Sequence, residues 1–214
     1  NFHSGPTTIT NGNFHYADNA SLNVGPGLIL SRGGAIGVDT GVANNSTFAA
    51  KIDPASFGGL MIAPSDAAAH LDFTGTLANA ANMTVAAPES DLTFTGTITP
   101  ANSTYGLGGG SGTLTLPNAQ LSGSNSLEVR NGGVVELLGD NSYTGSTSVF
   151  NRPSNTILVV DDLANGGVNS SIGAATSAAE NLYLQGGVLR YVGSGDSTDR
   201  LFIIGTAGAT IESS

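Results

Sequence analysis

The chain has 214 residues, a net charge of −10, no cysteine, no tryptophan and 31 glycines, and only 10% of its residues are charged, against roughly 25% in an ordinary soluble domain. Its six basic residues, Arg32, Lys51, Arg130, Arg152, Arg190 and Arg200, are scattered along the sequence, which argues against nucleic acid as a partner and disfavours an anionic membrane surface. No apolar run approaches the roughly 20 residues needed to span a bilayer, and the lack of cysteine suits an exported bacterial protein as well as a cytosolic one.

Apolar residues, mostly Leu, Val, Ile and Ala, are separated almost everywhere by Thr, Ser, Asn and Gly, a mix that favours short strands and tight turns. Lys, Glu, Gln and Arg are scarce, so little helix is expected. In chain order the strand candidates are 8–10, 22–24, 28–30, 48–52 and 60–62, followed by 71–77, 83–85, 92–98, 114–116, 127–129, 134–138, 157–160, 182–184, 188–191 and 201–204. Most prolines fall between these segments, where no ladder amide is lost. Asn131-Gly132-Gly133, Asn165-Gly166-Gly167 and Gln185-Gly186-Gly187 supply glycines for corners that need positive φ.

Two stretches echo one another: Leu71-Asp72-Phe73-Thr74-Gly75-Thr76-Leu77 and Leu92-Thr93-Phe94-Thr95-Gly96-Thr97-Ile98, 21 residues apart from Phe73 to Phe94. Short strands at regular spacing also suit a β-sandwich, but the echo favours an all-β solenoid. In that reading Phe73 and Phe94 stack in the core of successive coils. Coils of about 20 residues make about ten turns and a rod about 50 Å long. No linker divides the chain, so residues 1–214 are expected to form one continuous rod, with coils weakly patterned over 1–70 and repeat-like over 71–214.

At 132–149 the sequence reads Gly-Gly-Val-Val-Glu-Leu-Leu-Gly-Asp-Asn-Ser-Tyr-Thr-Gly-Ser-Thr-Ser-Val. Through Asn141, Tyr143, Thr144 and Gly145 it resembles the autotransporter-associated β-strand repeat. The flanks, including Leu163-Ala164-Asn165-Gly166-Gly167, Ser171-Ile172-Gly173 and Ser197-Thr198-Asp199-Arg200-Leu201-Phe202, resemble large planctomycete-type surface proteins that bear this repeat. The repeat usually continues with Gly-Thr-Leu, whereas here Asn155-Thr156-Ile157 follows an inserted Phe150-Asn151-Arg152-Pro153-Ser154. The resemblance implies a right-handed parallel β-helix, the passenger region of an exported protein at the bacterial cell surface or outside the cell.

Candidate chemistry is sparse. Asp161, Asp162, Asp196 and Asp199 are the acids to weigh as a catalytic pair or as calcium ligands on tight turns; the bland alternative is solvated turn residues. Asp161 and Asp162 are adjacent, so on a strand they point to opposite faces. His3, His15 and His70 lie far apart, and no nucleophile elbow, phosphate loop or zinc-binding helix occurs. Tyr16, Tyr105, Tyr143, Tyr183 and Tyr191 either stack on sugars or pack at solenoid corners.

The expectation is a non-catalytic structural or adhesive rod, with no catalytic residues and no cofactor, calcium being the one metal worth testing. The alternative is a carbohydrate-active or glycan-binding β-helix. The sequence starts at Asn1 without a methionine and stops in a strand-like 209–212, which reads as an internal segment. Its expected partners are further coils of the same protein or other copies stacked end to end into a filament, and surface glycans.

Overall fold

A computed structural model describes residues 5–21, 27–152 and 155–214. The strand candidate at 22–24 lies outside these residues, as do His3 and the Pro153-Ser154 part of the altered corner. The fold is a β-solenoid in which short parallel strands stack coil upon coil. A nine-stranded parallel sheet runs through Gly12–Tyr16, Gly34–Val38, Gly59–Met61, Thr84–Ala86, Thr104–Leu107, Ser126–Val129, Thr147–Phe150, Leu182–Gln185 and Ile203–Ile204. A six-stranded sheet holds Leu92–Thr93, Thr113–Leu116, Gly133–Leu137, Thr156–Val160, Val188–Tyr191 and Thr210–Ser213. Two strand pairs, Thr7–Ile9 with Leu28–Leu30 and His70–Asp72 with Thr97–Thr99, add to the early coils. At about 4.8 Å per strand the nine-stranded sheet is about 40 Å long.

The register explains the core. Phe14, Ile36, Leu60, Val85, Leu107, Val129, Val149, Leu184 and Ile204 face one another strand to strand along the whole nine-stranded sheet. The seven inner members are buried, while Phe14 and Ile204 at the two ends are about half exposed. A second column, Leu92, Leu114, Val135, Leu158, Leu189 and Ile211, runs through the six-stranded sheet. Strict alternation in Thr104–Leu107, Thr113–Leu116 and Ser126–Val129 turns every second residue into the core, and of these Leu107, Leu114 and Val129 stand in the two columns, as a strand with one buried face requires.

Several expectations are corrected. Residues 48–52 are not a strand: Ser46–Ala49 is a short helix, because the Asn45 side chain accepts a hydrogen bond from the Phe48 amide and caps the turn. Ile52 alone bridges to Leu28. The echoed segments are not equivalent either. Leu71 pairs with Ile98, whereas Leu92 pairs with Leu114 in the other sheet. Phe73 and Phe94 are both buried, but they are not register mates, so one does not stack on the other by coil repeat. Coil length varies from 20 residues between Leu127 and Thr147 to 35 between Thr147 and Leu182, which leaves about nine turns instead of ten.

Glycine permits one unusual cross-coil contact. Gly108, Gly109 and Gly110 have φ of 108°, 94° and 72°, and a Cβ on Gly108 would sit 2.3 Å from the Arg130 carbonyl oxygen. Over this bare backbone, the Asn131 amide donates to the Phe57 carbonyl at 2.8 Å and to the Thr84 hydroxyl at 3.0 Å. Arg130 reaches the same way, donating to the carbonyls of Asn82 at 2.8 Å and Phe57 at 3.1 Å. Two neighbouring side chains thus tie their own coil to coils that are not its immediate neighbours.

Candidate functional site

The longest coil is where chemistry-bearing residues gather. Between Thr156–Val160 and Leu182–Gln185 the chain leaves the sheets over residues 161–181, and this excursion needs partners for backbone groups that no ladder serves. The motif residues at 141–145 supply part of them. Asn141 is fully buried; its side-chain oxygen accepts from the Leu121 amide at 3.0 Å, and its amide donates to Gly139 and Ser171 carbonyls at 3.0 and 3.3 Å. The Ala174 amide donates to the Tyr143 carbonyl at 2.7 Å.

Tyr143 is also fully buried. Its hydroxyl lies 2.6 Å from that of Thr147, which donates onward to the Ile172 carbonyl at 3.2 Å. Burial pushes the phenol further up from its ordinary value, outweighing the Thr147 hydrogen bond. Its ring packs edge-on to Tyr105, whose hydroxyl donates to the Ser122 carbonyl at 3.1 Å. These two tyrosines are core residues and offer no face to a sugar. Thr144 is exposed. Gly145 is tightly enclosed, since a Cβ there would come within 2.5 Å of the Asn125 carbonyl.

Sequence reasoning missed the residue that closes this arrangement. Arg200 is buried, and its guanidinium donates to five carbonyls of the excursion: Ala164 and Gly173 at 2.8 Å, Ala175 and Val168 at 3.1 Å, and Asn165 at 3.4 Å. Burial pulls its pKa down, while nearby Tyr143, Asp199 and Asp162 act in the opposite sense. A lone arginine in a glycine- and serine-rich stretch was the available signal, because a cation in such a setting needs many acceptors.

Asp161 and Asp196 lie close enough to act on Asp162, and all four candidate acids turn oxygens to the same excursion. Asp161 accepts from the Ser171 hydroxyl at 2.8 Å, Asp196 from the Leu163 amide at 3.1 Å and Asp199 from the Gly166 amide at 2.8 Å. Asp162 is the perturbed member: desolvation raises its pKa, and the charges of Asp196, Asp140 and Asp161 raise it further, against a backbone hydrogen bond from Ala164. Among the described residues no group of three or more His, Asp or Glu side chains is arranged to hold a metal ion. No described helix is long and apolar enough to cross a membrane.

An 88-residue stretch of the chain, 40% of its length, is 49% identical to part of the adhesin BmaC autotransporter of Brucella suis biovar 1 (strain 1330). That stretch is 2% of the relative, so the chain spans a small fraction of the curated protein it matches. No family model and no solved structure matches the chain.

Two outcomes follow from the geometry. Arg200→Met strips five carbonyls of their donor and is expected to make residues 161–181 cleavable by a limiting amount of protease, while the far-UV circular dichroism of the sheets persists; equal resistance in the two proteins counts against the clamp. Asp162 has a raised folded pKa, so its protonated form is favoured by folding, and its stabilising contribution is complete below the unfolded value near 3.8 and lost as pH rises through the folded value. Asp162→Asn is therefore expected to be more stable than the parent at pH 7, with the difference fading in acid, as urea unfolding at several pH values would show.

Proposed function

We propose that this chain is a non-catalytic segment of a bacterial surface adhesin, a passenger-like rod that holds binding surfaces away from the cell, outside it or on its surface. The observation that carries the reading is the likeness to an autotransporter adhesin, on a fold whose candidate acids are occupied in holding loop backbone. Within this reading the Asn141-x-Tyr143-Thr144-Gly145 motif belongs to the autotransporter-associated β-strand repeat, and its role is to anchor the long coil. The rod acts without a cofactor; Asp161, Asp162, Asp196 and Asp199 order the excursion and do not need calcium.

The exposed ends of both apolar columns support a further part of the proposal. Ile204 and Ile211 are exposed by 54% and 53%, beside exposed Leu201 and Phe202, and among the described residues the strands Ile203–Ile204 and Thr210–Ser213 each pair on one side. Open strand edges with apolar side chains are templates for more strand. Another copy stacked end to end covers these side chains and continues both sheets.

Antibodies against the segment are expected to label intact cells that make the protein, and removal of the segment to reduce attachment of those cells to glycan-coated surfaces. Labelling that appears only after permeabilisation would overturn the reading. For the stacking, negative-stain microscopy of the purified segment is expected to show fibres of uniform width that disappear in an Ile204→Lys, Ile211→Lys double variant. Short monodisperse rods at all concentrations in the parent would remove end-to-end assembly from the proposal.

A further inference from the structure

An open groove of about 290 Å³ lies against the outward side of the nine-stranded sheet. Its lining comes from five successive coils, those of Arg32, Phe57, Asn82, Gly106 and Glu128, so it extends about 20 Å along the rod at strand spacing. The volume is near the lower end of the ~300–1,000 Å³ typical of small-ligand sites. Gly106 keeps its floor low: the strand pairs it with Glu128, and a Cβ at 106 would meet the Met83 carbonyl oxygen at 3.0 Å.

The electrostatics run against those of the whole molecule. In a chain of net charge −10, two of the six basic residues, Arg32 and Arg130, line this groove, and Arg32 sits close enough to disfavour the charge on Arg130, whose pKa burial chiefly lowers. The one carboxylate in the lining, Glu128, is already engaged by Arg130 Nε at 3.1 Å. The Arg130 guanidinium is further committed to backbone carbonyls on two other coils. Arg32 is left with its charge uncompensated. It is exposed, makes no hydrogen bond or ion pair among the described residues, and is held over the Phe57 ring at 5.3 Å from the centroid.

The remaining polar lining is neutral. Asn82 uses its side-chain amide on the Pro54 carbonyl at 3.1 Å, which leaves its side-chain oxygen as an acceptor. Asn102 is exposed in a left-handed conformation, φ 52°, with its carboxamide uncommitted among the described residues. Phe57 is 41% exposed, a flat apolar surface beside a cation. An elongated groove with a free guanidinium, neutral hydrogen-bonding groups and an aromatic face matches the chemistry of a chain of hydroxylated rings bearing acid groups.

We propose that this groove binds an anionic oligosaccharide, the Arg32 guanidinium pairing with its acid group, Asn82 and Asn102 meeting its hydroxyls, and Phe57 packing on a ring face. The proposal deepens the adhesive reading and rests on it for its biological setting. The acid group is a carboxylate, as in a uronate, or a sulfate; both fit a guanidinium fork.

The test is isothermal titration of the purified 214-residue segment with hexagalacturonate, with a sulfated oligosaccharide of matched length, and with fully methyl-esterified hexagalacturonate. Binding of at least one acidic probe is expected, with none of the neutral ester, and the responding probe identifies the acid group. Arg32→Gln is expected to weaken binding about tenfold or more, the loss of one charge-assisted pair. Phe57→Leu is expected to weaken it without changing the preference for acid. Both variants are checked for an unchanged melting curve, and neither residue belongs to the buried columns. No binding of either acidic probe, equal binding by Arg32→Gln, equal binding of the ester, or tighter binding of an oligoglutamate of the same charge would each overturn the proposal. The titration needs no cell surface, so a null result leaves the labelling and attachment outcomes intact, and their failure leaves the titration intact.

Discussion

One apolar side chain per coil, set directly over the one before, is the contact on which the rest of this molecule depends. The strands are two to five residues long, too short to be stable alone, and each gains its hydrogen bonds and its cover only from the coils above and below. The column from Phe14 to Ile204 therefore has to survive every insertion in the chain. It does so because strands such as Thr147–Phe150 and Leu182–Gln185 meet in register although 35 residues separate Thr147 from Leu182.

Variation is displaced into the connections, and that is where the polar residues are found. Both buried arginines show how a cation is accommodated in so apolar a fold. Arg200 is surrounded by carbonyl oxygens of one excursion, and Arg130 by carbonyls from two coils and a single glutamate. Arg200 makes no ion pair among the described residues and Arg130 makes its pair with a partly exposed glutamate, so neither meets the desolvation of a fully buried pair, which commonly offsets its attraction. Each arginine instead fixes the path of backbone that has no strand to hold it.

Much of the fold was legible in the sequence because strand alternation is a local signal. Residues 114–116, 127–129 and 188–191 could be read from period-two patterning, and Asn131-Gly132-Gly133 was legible as a corner, all three with positive φ. The helix at Ser46–Ala49 was not legible, since Phe48, Ala49 and Ile52 look strand-like until the Asn45 cap is seen. The echo between 71–77 and 92–98 was real as sequence but misleading as register, because coil length varies and similar words fall on different sheets. Asp161, Asp162, Asp196 and Asp199 could be singled out as a set, yet what they hold is set by a loop that returns from far along the chain. The groove was illegible for the same reason: Arg32 and Arg130 are nearly a hundred residues apart and meet only through stacking.

The reach of Arg130 and Asn131 across bare glycine backbone has a mechanical meaning. A stack held only between adjacent layers peels from an end under tension, one layer at a time, at a force set by its weakest junction. Side chains that grip layers beyond the nearest, at Thr84, Asn82 and Phe57, load several junctions in parallel, so that this part of the rod has to yield as a block. Pulled along its stack, the stretch carrying the groove would then resist peeling more than one held only between adjacent layers.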